Sequence, residues 1–101
     1  MTLSEFKHTL SETSPPRTLA PVLQALWWAA KGDWDKAHGI VMKENGVEAA
    51  WVHAYLHRVE GDLDNARYWY GQAQRKAASG ALEAEWDEIA VALIENPSAK
   101  S

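Results

Sequence analysis

Residues 47–77, VEAAWVHAYLHRVEGDLDNARYWYGQAQRKA, constrain the fold more than any other stretch. Gly61-Asp62 divides the stretch into two halves. Glycine suits the left-handed position at a helix end, and aspartate can cap the next helix with its carboxylate. At about 100° per residue, Ala49, Val52, Leu56 and Val59 fall on one arc of the first half, with Tyr55 at its edge. Ala50, His53, Ala54, His57 and Glu60 fall on a second arc, and Trp51 and Arg58 on a narrow third. Two arcs of apolar or small residues predict a helix buried on two sides, at the centre of the molecule. In the second half Leu63, Ala66, Tyr70, Ala73 and Ala77 share a face, and Trp69 lies at its edge. Tyr68 and Arg75 point the other way.

Gly61-Asp62-Leu63-Asp64-Asn65-Ala66 resembles the centre of a tetratricopeptide or Sel1-like repeat, where Gly-Asp-x-x-x-Ala joins two antiparallel helices. Gly32-Asp33-Trp34-Asp35-Lys36-Ala37 repeats the pattern 29 residues earlier, against a tetratricopeptide period of about 34. The second copy departs from the family at Ala50, His53 and His57, where the repeat prefers Trp, Leu and Tyr. The likeness spans about residues 21–77. It implies an all-α fold of antiparallel hairpins stacked as a short right-handed array, and a protein-binding role. The stretch AWVHAYLHRVEGDLDNARYWY is also similar to small bacterial proteins, which implies no function of its own.

The other segments read as further helices. Residues 2–12 carry Leu3, Phe6 and Leu10 on a narrow stripe, and Thr2 and Glu5 stand at capping-box spacing. Thr13-Ser14-Pro15-Pro16-Arg17 is a stiff linker, so residues 1–17 form a docking helix and its tether. The main domain is expected over 18–96, with helices at about 19–31 (capped by Thr18), 33–43, 47–60, 62–77 and 81–95. Residues 97–101 read as a disordered tail. On the last helix Leu82, Trp86, Ile89, Ala90 and Leu93 make the apolar face. Glu83, Glu85, Asp87 and Glu88 read as its solvated cap. No segment alternates with period two, so no sheet is expected. The expectation is five main helices plus a short N-terminal one.

Composition narrows the function classes. Ten Lys and Arg stand against fourteen Asp and Glu, a formal charge of −4, which argues against nucleic-acid or anionic-membrane partners. No cysteine is present, so disulfide and thiolate chemistry are excluded and a cytoplasmic location is expected. The 101 residues suffice for one domain, and no apolar run has the length of a membrane span.

These residues admit three functions. The first is a non-enzymatic module that binds a peptide or protein partner. Its surface would be Trp28 and Trp51, which lie off the core stripes, with Arg58, Arg67, Tyr68 and Arg75. Aromatic and arginine residues are enriched where partners bind. The second is a metal or small-ligand site. His53, His57 and Glu60 lie within about 60° on one helix face, and two imidazoles one turn apart plus a carboxylate can hold zinc or iron. A further ligand would come from His38 or Asp62. Otherwise the histidines are core residues satisfied by neighbours, and no cofactor is needed. The third is a structural homodimer formed through the N-terminal helix or an uncovered end of the stack. Ser, His and Asp occur in no nucleophile motif, and Asp33, Asp35, Asp62 and Asp64 are explained as helix starts.

Overall fold

The computed structural model describes residues 1–95. The expected tail, 97–101, and the final residue of the expected domain lie outside them. The described residues form α1 (Leu3–His8), α2 (Pro21–Ala30), α3 (Trp34–Val41), α4 (Val47–Glu60), α5 (Leu63–Gln72) and α6 (Leu82–Glu95), with no strand among them. A single 3-10 turn, Thr9–Ser11, extends α1. None of the helices is long and apolar enough to cross a membrane.

The two Gly-Asp corners have one geometry. Gly32 and Gly61 take φ of +84° and +88°. The Asp33 N–H donates to the Trp28 carbonyl at 3.0 Å, and the Asp62 N–H to that of His57 at 2.9 Å. The Asp33 carboxylate then accepts from the Lys36 N–H at 3.1 Å, and that of Asp62 from the Asn65 N–H at 3.2 Å. Each aspartate therefore closes one helix with its backbone and opens the next with its side chain. These bonds leave no free residue between paired helices, so α2 folds back against α3 and α4 against α5.

A third closure of this type ends α5 at Gln72, earlier than the expected Ala77. There the Arg75 N–H donates to the Tyr70 carbonyl at 3.0 Å, and Gln74 occupies the left-handed position with φ +60°. At the front of α2 the expected Thr18 cap is replaced. Pro21 begins the helix and holds Ala20 extended at ψ 151°, so no helical turn precedes it. Helix α3 likewise stops at Val41 rather than Lys43.

Helix α4 is the hub. Every residue from Ala49 to His57 is buried, and α2, α3, α5 and α6 all pack on it. The expectation of two buried sides therefore understates its enclosure. Helix α1 carries the predicted capping box, with the Thr2 hydroxyl accepting from Glu5 N–H and the Glu5 carboxylate from Thr2 N–H. It lies across α6, and Phe6 stacks on Trp86 with centroids 5.5 Å apart. Lys31 at the end of α2 fastens the segment after α1, donating to the carbonyls of Leu10 and Glu12 at 2.7 and 3.1 Å.

Candidate functional site

Three histidines meet where the two hairpins join. His38 comes from α3, and His53 and His57 lie one turn apart on α4. Their nearest ring nitrogens all fall within 4.8 Å of one another. His38 Nε2 and His53 Nε2 are 3.1 Å apart. Four-coordinate zinc with Zn–N bonds of about 2.0–2.1 Å requires ligand nitrogens about 3.3 Å apart, so this spacing is close to that of a tetrahedral set.

Tryptophans fix the rings. Trp34, one turn before His38, stacks on it with centroids 4.5 Å apart and planes 17° apart. Its indole N–H donates to the Leu56 carbonyl at 2.6 Å, which ties α3 to α4 beside the cluster. Trp69 of α5 stacks on His53 at 3.9 Å. Trp34 and Trp69 thus serve as two walls of the histidine cluster.

Glu60 approaches from the end of α4, with its Oε2 2.7 Å from His57 Nδ1. An ionised carboxylate only accepts, so Nδ1 is the donor, which in a neutral ring places the lone pair on Nε2. That is the arrangement by which carboxylates orient metal-ligating imidazoles. Glu60 thus contacts His57, whereas His38 completes the trio of rings. His57, Glu60 and Asp62 also bring one potential ligand atom each within 4.8 Å of the others, although Asp62 Oδ1 accepts in the α5 cap.

The electrostatics favour the neutral form of His53 and His38. Burial, then the neighbouring His38 and His57, push His53 down to about 4. Burial and His57 lower His38 as well, against the opposing pull of Glu60 and Asp35. Neutral imidazoles are the form that binds metal. A cleft of about 460 Å³ beside the α3–α4 connection reaches the cluster, with Met42, Asn45, Gly46 and Gln72 on its rim and His53 and Trp69 in its wall.

Of the expected aromatic and cationic residues, Trp51, Arg58 and Arg75 are brought together, but around the buried Glu85 rather than as an open surface. Trp51 is only 4% exposed, which corrects its placement off the core. Its indole N–H donates to Glu85 Oε2 at 3.2 Å, and the Arg75 guanidinium covers its ring at 3.3 Å. Arg58 is also turned inward, donating to Glu85 Oε1 at 2.9 Å and to the Gly80 carbonyl. Arg67 pairs with Asp64 on the surface, and Tyr68 stands 58% exposed. Trp28 is half-buried on the other hairpin, edge-on to Trp27 and covered by Lys36 at 4.2 Å.

Glu85 corrects the reading of α6 as solvated outside its apolar stripe. This buried carboxylate also accepts from the Tyr70 hydroxyl at 2.6 Å. Burial, and the bond to Glu85, push the Tyr70 phenol well above its ordinary range. One signal was present in the chain: Glu85 lies at helical spacing within Leu82, Trp86 and Ile89, on the apolar side of α6.

Comparison with known proteins finds no matching family model, no matching curated protein and no matching solved structure.

Proposed function

We propose that this protein binds one divalent transition-metal ion, zinc foremost, through His38, His53 and His57, with Glu60 orienting His57. The reading rests on one observation: three imidazoles from two helices converge with one nitrogen each within 4.8 Å of the others. An all-nitrogen set suits zinc, copper or nickel better than the mixed carboxylate sets that hold non-haem iron. Three protein ligands leave a fourth position for water or an external ligand, and a cleft with His53 in its wall lies beside the cluster. In this reading the two equivalent corners support a tetratricopeptide-like pair of hairpins, whose role is to carry the histidines to a common point. The partner-binding reading loses its principal surface residues, because Trp51 and Arg58 are committed to Glu85.

Zinc titration of untagged, chelator-treated protein by calorimetry tests the reading. The expected result is one equivalent, with binding lost in His38→Ala and His53→Ala variants that remain folded by far-UV circular dichroism. Less than about a tenth of an equivalent bound by folded wild type overturns it.

A further inference from the structure

The cleft beside the α3–α4 connection, of about 460 Å³, has the size of a small-molecule site. The first turn of α4 opens on it. Gly46 is the N-cap, at φ 104° and ψ 170°, a conformation essentially reserved for glycine, so no capping side chain stands there. The Ala50 N–H takes the Gly46 carbonyl at 3.1 Å, but the N–H groups of Val47, Glu48 and Ala49 precede the helical ladder. Gly46, Val47 and Ala49 border the cleft, whereas Glu48 lines a separate one with Trp51 and Arg75.

His53 supplies an independent donor. The residue is 7% exposed and lies in the cleft wall. Its Nε2 faces His38 Nε2 at 3.1 Å, while its Nδ1 has no hydrogen-bond partner among the described residues. Nor is Nδ1 sealed in, since Asp87 Oδ1 is the one enclosed side-chain polar atom without a partner among those residues. The outer nitrogen is therefore reached from the cleft that His53 lines. When His38 donates across the 3.1 Å contact, the proton of the neutral His53 ring stands on Nδ1. A nearly buried donor of this kind requires an acceptor, and the protein provides none. The His53 side chain leans towards the start of α4, so it and the free amides face the same end of the cleft. The rest of the lining is largely apolar. Val41 and Trp69 form the wall, and Met42 and Val47 stand exposed at the rim. Backbone donors at the positive end of a helix, with an imidazole N–H beside them, favour an anionic acceptor. Glu44, half-buried in the lining, is the opposing charge.

We propose that this cleft binds a small organic monocarboxylate with an apolar body. Its carboxylate accepts from the first turn of α4 and from His53 Nδ1–H, and its body lies against Val41, Met42, Val47 and Trp69. Glu44 limits the affinity by repulsion. Binding needs no metal at the histidine cluster, so this inference stands apart from the zinc reading.

The test is calorimetric titration of the full, untagged chain in EDTA. The probes are 3-phenylpropionate, the neutral 3-phenylpropan-1-ol and the cationic 3-phenylpropylammonium. The carboxylate binds with one site, the alcohol about tenfold more weakly, and the ammonium not measurably. His53→Phe, which keeps a ring against Trp69, weakens the carboxylate about tenfold. Val47→Pro removes one free N–H at a position where proline suits a helix start, and weakens it severalfold. Glu44→Gln tightens it about threefold. Far-UV circular dichroism verifies that each variant is folded. Equal affinity for carboxylate and alcohol overturns the proposal. So does a carboxylate affinity unchanged in both His53→Phe and Val47→Pro, or no binding to natively folded wild type at about 10 mM probe.

Discussion

The indole N–H of Trp51 is held by Glu85 at 3.2 Å across 34 residues of chain. This bond joins the centre of α4 to the start of α6. The same carboxylate takes the Tyr70 hydroxyl from α5 and the Arg58 guanidinium. Three helices are thus fastened at one buried charge. Removing it leaves a guanidinium, a phenol and an indole without their acceptor. Glu85→Ala is expected to lower stability by about 3 kcal/mol, measured by urea unfolding. A loss below about 0.5 kcal/mol would show that the network is not a determinant of stability.

Trp51→Ala removes a buried indole and uncovers Glu85. The expected loss is about 3–5 kcal/mol, enough to unfold a large fraction of a domain this size. Near-UV circular dichroism and thermal melting report it. A native melt in this variant would place Trp51 among the surface residues after all.

Gln74 occupies a left-handed conformation without the freedom of glycine. Gln74→Gly relieves that strain and is expected to raise stability by about 1 kcal/mol in chemical denaturation. The same change at the ordinary helical position Gln72 should destabilise by a similar amount.

Stability should depend on pH through His53. Its folded value of about 4 lies below the ordinary 6.5, because of burial and the flanking His38 and His57. The unfolded chain therefore binds the proton first, and stability present above about pH 6.5 declines as pH falls towards 4. The expected decline is about 2 kcal/mol, and it should shrink in His53→Gln. A flat profile between pH 7 and 4.5 would contradict the enclosure of this ring.

In the proposed zinc site Glu60 would act through His57 rather than on the metal directly. Glu60→Gln is expected to weaken zinc about tenfold while leaving stoichiometry and fold unchanged. Competition titration against a chromophoric chelator measures the affinity. An unchanged value would separate Glu60 from the site.

The fold class was legible because the helix signals here are local. Gly32-Asp33 and Gly61-Asp62 carry the whole closure within six residues, so the corners and the antiparallel pairing can be read from the chain. The His53, His57 and Glu60 face was equally legible, since all three lie within two turns of α4. What was not legible was contact between elements. Trp51 looked peripheral because its own helix has other apolar arcs, and only the approach of α6 gives it a fourth wall. Glu85 looked solvated because a carboxylate's burial depends on partners, and Trp51, Arg58 and Tyr70 lie on two other helices. The ends of helices α2 and α5 shifted for a different reason. Pro21 and the Gln74 turn override the apolar spacing that runs beyond them.

The stack of Phe6 on Trp86 also bears on how the chain assembles during synthesis. The Gly-Asp corners are closed by neighbours in sequence and can form as each helix emerges from the ribosome. Helix α1 is made well before α6, which carries the Trp86 on which Phe6 stacks. Phe6 therefore lacks its stacking partner until α6 arrives, whereas α2 can already hold the segment after α1 through Trp27 and Lys31.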